Sequence, residues 1–346
     1  MVPAIAVADA LAEAGARVSF VGTRERTEAQ LVPAAGYELD PLAVRGLDRR
    51  NPIRAAGALG RAGAAVAAAR RYLRERQADA VMGGGGYVAA PVGLAAAGLR
   101  LPLVLTEADS HLGLANRMLA GRADRVCLAF PIKGREGPRY LVTGRPVPAA
   151  ITRADRGAAR RRFGIAPDAQ CVLIFGGSLG ARSINHAAAA AFAPGGPGAR
   201  LDIHVLHIAG SRDYPSMAAE ISGAERYTLL EYEPNLGDAL AACDLVLARS
   251  GGSVFELTAA GRPAILVPYP HAAGRHQHAN AAWMERVGAA VVIEDSELDA
   301  PRLAAAAGEL LASPERLAKM AAASRSLARP DAAQRIAAEI LSRCPD

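Results

Sequence analysis

The chain has 346 residues, 51% apolar and 4% aromatic, and a formal charge of +6, which sets an expectation of about two domains, each with its own core. No run of about 18 uncharged apolar residues occurs, which excludes a membrane-spanning helix. Four cysteines (Cys127, Cys171, Cys243 and Cys344) stand far apart without a C-x-x-C pair, which argues against a disulfide framework or a metal centre. No secretion signal is recognised, so the expected location is cytoplasmic. The charge is uneven. Residues 1–150 carry 20 basic against 13 acidic side chains, and the remainder 20 against 21. The amino-terminal half is therefore expected to meet an anionic partner.

In chain order, a helix is expected over Pro3–Ala14, its proline suited to the first turn, followed by a strand at Arg17–Gly22. A long helix over Pro52–Arg76 precedes short apolar runs at Ala80–Met82, Leu103–Leu105 and Arg125–Leu128. The pattern pauses at a loop (Thr143–Ile151) and an Arg-rich helix (Asp155–Phe163), then restarts. Strands are expected at Val172–Phe175, Ile203–Ile208, Tyr227–Leu230, Asp244–Leu247, Ala264–Val267 and Ala290–Ile293, with helices at Arg182–Ala193 and Arg275–Val287. Three helices close the chain: Pro301–Leu311, Pro314–Leu327 and Asp331–Ser342. Strand–helix alternation predicts α/β architecture with parallel sheets. We expect two doubly wound, Rossmann-like domains facing a cleft, over 1–148 and 149–329, with 330–346 a helix packing back toward the first domain. Such a domain normally begins with a central strand, which is missing ahead of the first helix. The amino-terminal domain is therefore expected to be truncated.

Chemistry concentrates in loops that follow strands. Gly83-Gly84-Gly85-Gly86-Tyr87 joins a strand to an Ala-rich helix. Its glycines allow positive φ, and the helix start offers amides to a phosphate. Gly176-Gly177-Ser178-Leu179-Gly180-Ala181-Arg182 repeats the arrangement without the Gly-Lys-Ser/Thr of a Walker loop. A third element, Ser250-Gly251-Gly252-Ser253, opens another helix. Arg249 precedes it, suited either to phosphate or to a structural carboxylate. Glu256 follows on the helix, where it is either a ribose ligand or a solvated acid. His276, Gln277 and Asn280 form either a sugar-binding set or a polar helix face.

The segment Arg45–Arg76 carries nine arginines against Asp48 and Glu75, together with Ile53, Leu59, Val66, Tyr72 and Leu73. It reads as a helix on an anionic membrane or as a solvated helix with its apolar face in the core. Few aromatics are available for base stacking, and nucleic acid is not expected.

These residues together resemble the peptidoglycan N-acetylglucosaminyltransferase (MurG) family of GT-B glycosyltransferases, over nearly the whole chain. P-A-I-A-V-A-D-A-L (Pro3–Leu11), F-V-G-T (Phe20–Thr23), G-G-Y-V-A-A-P (Gly85–Pro91), L-T-E-A-D-S-H-L-G-L-A-N (Leu105–Asn116), V-T-G-R-P-V (Val142–Val147), G-G-S-L-G-A-R (Gly176–Arg182), R-S-G-G-S-V-F-E and H-Q-H-A-N carry the resemblance. It implies inverting, metal-independent transfer of N-acetylglucosamine from UDP-N-acetylglucosamine to the C4 hydroxyl of undecaprenyl-diphosphate-linked muramyl-pentapeptide (lipid I), giving lipid II. No cofactor is implied. The absence of an Asp-x-Asp motif agrees with this, because helix amides and arginine can take the leaving diphosphate.

The resemblance assigns donor binding to Gly177, Ser178, Arg182, Arg249, Ser250, Gly251, Gly252, Glu256, His276, Gln277 and Asn280. Acceptor binding falls to Gly84, Gly85, Gly86, Tyr87, Glu107 and Asn116, and an interdomain phosphate contact to Arg145. The family's histidine, a candidate general base, would precede Met1, so no residue is assigned that role; the resemblance also makes the acceptor-side Glu107 a catalytic candidate. The implied location is the cytoplasmic face of the membrane, as a peripheral protein. The alternatives are a UDP-sugar 2-epimerase-like isomerase and a UDP-sugar-binding protein without turnover.

Overall fold

The computed structural model describes residues 1–44, 52–177, 180–221, 223–272 and 275–345, with the side chains of 52–61 outside the description. The chain divides into two compact units, Met1–Pro148 with Arg329–Asp346, and Ala149–Ala328.

The first unit runs α1 (Val2–Glu13), β1 (Ser19–Gly22), α2 (Glu28–Ala34), β2 (Glu38–Pro41), α3 (Pro52–Glu75), β3 (Val81–Gly83), α4 (Gly86–Leu99), β4 (Leu103–Glu107), α5 (Leu114–Leu119), β5 (Arg125–Leu128) and β6 (Tyr140–Val142). Its described strands form two parallel sheets, β1-β2 and β3-β4-β5-β6. No described strand joins β1 to β3. Alternate residues of the larger sheet face opposite layers. Leu103, Leu105, Val126 and Leu128 pack on Ala69 and Leu73 of α3 and on Val92 and Ala96 of α4. Val104 and Cys127 point the other way, onto Val7 and Leu11 of α1 and onto Ile336 and Ile340 near the carboxyl terminus. A sheet covered on both faces needs apolar residues at every position, which is why these strands read as unbroken apolar runs.

The second unit contains α6 (Ala150–Arg153), α7 (Arg156–Phe163), β7 (Gln170–Phe175), α8 (Arg182–Phe192), β8 (Ile203–Ile208), α9 (Tyr214–Glu220), β9 (Tyr227–Leu230), α10 (Leu236–Ala242), β10 (Leu245–Ala248), α11 (Val254–Ala259), β11 (Ala264–Leu266), α12 (His276–Glu285), β12 (Ala290–Val292), α13 (Ala300–Leu311) and α14 (Pro314–Ser326). The last helix, α15 (Ala332–Leu341), belongs to the first unit. It packs on α1, and Glu339 pairs with Arg125 of β5 at 2.6 Å.

All six strands of the second unit are parallel, in the order β12-β11-β10-β7-β8-β9. Val172, Ile174, Leu245, Leu247 and Ile265 pack against Ile184 of α8 and Leu303 and Leu310 of α13. Each such side chain contributes about 1.5–3 kcal/mol through burial. The strand order reverses between β7 and β10, and in open parallel sheets the loops at that reversal form the ligand crevice.

Two strands lay outside the sequence expectation. β2 (ELDP) is polar and pairs only with β1, and β6 is a three-residue edge strand with Val142 exposed. β2 lacks the apolar run of an inner strand, and β6 (YLV) is apolar but only partly buried. The basic segment also needs correcting in part. Of its apolar side chains, Leu73 is buried and Val66 and Tyr72 pack against the core, so they are unavailable to a membrane. Arg45, Arg49 and Arg50 lie outside the described residues, as do the side chains of Ile53, Arg54, Leu59 and Arg61.

Candidate functional site

In the second unit the chain leaves β7 and β10 through two glycine turns that lie side by side, because the strands are neighbours. After β7, Gly177 takes φ +98° and Gly180 takes φ +76°, and Gly180 donates its N–H to the Gly177 carbonyl at 2.9 Å. A Cβ on Gly180 would fall 1.9 Å from the Ala209 carbonyl oxygen, so only glycine fits. Helix α8 then begins without a side-chain cap, which leaves first-turn amides available for an anion. Ser178 lies outside the described residues.

Arg182, at the start of α8, is well exposed and sits 3.5 Å from Asp213. A buried relay stands behind that carboxylate. Asp213 accepts from Arg212 at 3.0 Å and from Asn185 Nδ2 at 3.0 Å. Arg212 first, then Asn185, hold its carboxyl below the usual range. Asn185 also donates to the Ala209 carbonyl at 2.9 Å. Its Oδ1 can only accept, so the His207 Nε2–H donates to it at 3.1 Å, and the Tyr227 hydroxyl donates to His207 Nδ1 at 2.7 Å. Burial pushes the His207 imidazole down to about 3, which keeps this tautomer neutral. None of these residues stood out in the sequence, where Asn185 and His207 read as parts of a helix and a strand.

After β10 the structure separates the two readings of Arg249. Its guanidinium pairs with Asp295 at 2.6 Å, reaches Ser183 Oγ at 2.7 Å, and donates to the carbonyls of Val267 and Pro268. Arg249 thus ties together the loops after β10, β11 and β12 instead of presenting itself to a phosphate. Ser250 needs a similar correction. It is fully buried, and its hydroxyl donates to the Gln277 carbonyl at 2.8 Å. The carboxamide of Asn280 donates to the carbonyls of Ser250 at 2.9 Å and Gly251 at 3.3 Å, so its NH2 holds the turn.

The other donor-side candidates are partly exposed. Gly251 and Gly252 are half-buried, and Glu256 is half-buried in the first turn of α11. Gln277 accepts from the Tyr269 amide at 2.9 Å through Oε1, which turns its Nε2 to within 3.8 Å of the Cβ position of Gly251. His276 is half-buried at the first position of α12, after Arg275 at φ +53°.

The first unit carries a parallel construction. β3 ends at Gly83, Gly85 and Gly86 take φ +80° and +76°, and α4 starts without a side-chain cap. Gly84 lies beside Thr106 at the end of β4, and Tyr87 is 57% exposed beneath the Arg26 guanidinium. Glu107 is buried. Its carboxylate accepts from Gly113 N at 2.8 Å, Asn116 Nδ2 at 2.9 Å and Asp109 N at 3.2 Å. Three donors fasten this acid to its own loop, so the expectation of Glu107 as a catalytic group is replaced by that of a clasp. Asn116, 1% exposed, donates to Glu107 and to the Thr106 carbonyl through Nδ2, which lies 3.8 Å from the Cβ position of Gly85, and its Oδ1 has no partner. Arg145 is half-buried after Gly144, and its charge, second to burial, lowers the Met1 amino group below its ordinary value.

Among the described residues no group of His, Cys, Asp and Glu has the arrangement of a metal centre, and no helix is long and apolar enough to cross a membrane.

Two family models match the chain. The glycosyltransferase family 28 N-terminal domain covers residues 1–128, and the family 28 C-terminal domain covers residues 171–336. A UDP-N-acetylglucosamine–N-acetylmuramyl-(pentapeptide) pyrophosphoryl-undecaprenol N-acetylglucosamine transferase from Moorella thermoacetica is 42% identical, covering 98% of this chain and 94% of that one. Its counterpart from Salinibacter ruber is 40% identical over 98% and 92%. The crystal structure of Acinetobacter baumannii MurG superposes with a TM-score of 0.75 at 28% identity, over 98% and 95% of the two chains. A putative UDP-N-acetylglucosamine 2-epimerase from Listeria monocytogenes has a TM-score of 0.71 at 17% identity, a likeness of fold alone.

Proposed function

The chain belongs to glycosyltransferase family 28, and on that premise we propose that it transfers N-acetylglucosamine from UDP-N-acetylglucosamine to the C4 hydroxyl of lipid I, forming lipid II for peptidoglycan. The observation that carries the residue-level reading is the pair of glycine turns at the strand-order reversal between β7 and β10. The diphosphate lies against the amides of Gly177 and the start of α8, and of Gly251 and Gly252 across from them. Exposed Arg182 adds a positive charge. Glu256 takes the two vicinal hydroxyls of the ribose, and Gln277 Nε2 donates to the sugar.

A direct displacement at the anomeric carbon breaks its bond to the diphosphate oxygen as the acceptor hydroxyl attacks from the opposite face. Negative charge then grows on the leaving UDP, where preorganised amides stabilise it more than they stabilise bound donor. Arg249, Asp295, Ser250 and Asn280 fix the shape of the loops, and the relay from Tyr227 to Asp213 fixes Arg182. In the first unit the Gly84–Gly86 turn and Tyr87 receive the acceptor, over a loop that Glu107 and Asn116 hold in place.

Membrane contact follows from exposure. Leu114 (44%) and Met118 (50%) stand one turn apart on α5 beside exposed Arg117 and Arg122. Two apolar side chains with flanking arginines suit an anionic interface better than the described part of α3, where Val66, Tyr72 and Leu73 pack against the core. Exposed Arg70, Arg71 and Arg74 add attraction only.

The test is UDP release with a soluble lipid I analogue. The reading expects release only when the acceptor is present, and a donor KM about tenfold higher in Glu256→Ala, the loss of charge-assisted hydrogen bonds. Equal UDP release without acceptor would contradict it.

A further inference from the structure

At the opposite end of the donor-side sheet, where β7, β10 and β11 begin, the second unit holds an open cavity of about 330 Å³. Its floor is basic. Arg156, Arg160, Arg262 and Arg325 all line it, against the carboxylates of Asp244 and Asp168. Two positive charges are left unmatched.

Part of this cluster has a structural task. The guanidiniums of Arg156, Arg160 and Arg262 donate to the Ala241, Ala242 and Cys243 carbonyls at the carboxyl end of α10. That helix end offsets only about half a charge. Asp244 is saturated, since it accepts from Arg156 at 2.5 Å, Arg160 at 3.0 Å and Cys171 N at 2.8 Å. Two groups remain. The Nε of Arg262 is buried and has no hydrogen-bond partner. Arg325 lies across Gly261, with Nη1 2.9 Å from the Cβ position of that glycine, so any side chain there would push the guanidinium away from Arg262.

The lining also includes apolar Pro263, Pro314, Leu317 and Ala318, the last two on the helix that carries Arg325. A site with two unmatched positive charges beside apolar lining residues has the chemistry of a dianionic head on a small apolar body. We propose that this cavity is a second ligand site, distinct from the donor loops, that binds a phosphomonoester between Arg262 and Arg325 with its ester substituent against α14.

The experiment is isothermal titration of the full chain with phenyl phosphate, with UDP saturating throughout to occupy the donor loops. Parallel titrations use inorganic phosphate and use sodium chloride at matched ionic strength. Wild type should bind phenyl phosphate saturably and more tightly than inorganic phosphate, and chloride should give no saturable heat. Arg325→Gln, at an exposed position, should weaken phenyl phosphate roughly tenfold. Ala318→Glu, which sets a carboxylate into the wall, should weaken it at least as much, with both variants keeping the wild-type melting temperature and UDP affinity. The proposal is overturned if phenyl phosphate does not bind, if both variants bind it as wild type does, or if it binds only when UDP is left out.

Discussion

Replacing Gly180 with alanine should disable the donor site through backbone displacement. The new Cβ would lie 1.9 Å from the Ala209 carbonyl oxygen, whereas real Cβ contacts keep at least 3.0 Å. One side must therefore yield by about 1 Å, and neither can do so by turning a side chain. Alanine at φ +76° adds strain of about 1 kcal/mol. The Ala209 carbonyl is also held by Asn185, so the turn ahead of α8 is the part that moves. A shift of about 1 Å in groups aligned on a leaving diphosphate costs on the order of 100-fold in rate. Gly177→Ala is the control. It has φ +98° but nothing within 4 Å of its Cβ position, so it bears the strain without the collision. In a UDP-release assay Gly180→Ala should lose roughly 100-fold in kcat/KM, and Gly177→Ala less than about tenfold. Equal losses, or a Gly180→Ala enzyme with wild-type activity and UDP affinity, would refute the reasoning.

Burial holds His207 at about 3 against 6.5 when exposed. Between those values the unfolded chain binds a proton that the folded chain refuses. Its neutral form is accommodated fully above pH 6.5, and stability falls by about 1.4 kcal/mol per unit as pH drops below it. Urea unfolding of wild type and His207→Gln from pH 6.5 to 5 should give a flatter profile for the variant, and matching slopes would count against the neutral relay. For the Arg249–Asp295 pair, a double-mutant cycle of Arg249→Met and Asp295→Asn should show coupling of about 1–3 kcal/mol in unfolding free energy, whereas simple additivity would remove the tie between the loops. Glu107→Gln should destabilise the fold by about 1–3 kcal/mol, because an amide NH2 replaces an acceptor of three hydrogen bonds. Both limbs of the kcat pH profile should persist, and loss of one limb at unchanged stability would make Glu107 a proton carrier.

Much of the sheet was legible because a parallel strand buried on both faces must be apolar throughout. β5, β8 and β9 begin and end where the apolar runs at Arg125, Ile203 and Tyr227 do. β2 and β6 escaped because an edge strand can be polar or very short. The turn after β7 was legible from glycine, since backbone that turns at positive φ or approaches a carbonyl closely admits nothing larger. Side-chain roles were less so. Arg249 and Ser250 are the residue types that bind phosphate, and only their partners, Asp295 some 46 positions on and the Gln277 carbonyl, show them holding the loops. The relay through His207, Asn185 and Asp213 leaves no local pattern, because its members lie on separate elements and meet only when β8 and α8 pack together.

The loops after β7 and β10 are proposed to grip the donor, and a crystal structure of the chain with UDP-N-acetylglucosamine tests this. The diphosphate should lie within hydrogen-bond distance of the amides of Gly177, the start of α8, Gly251 and Gly252, with the Glu256 carboxylate on both ribose hydroxyls. A nucleotide bound elsewhere on the second unit, or Glu256 turned away from its ribose, would contradict it.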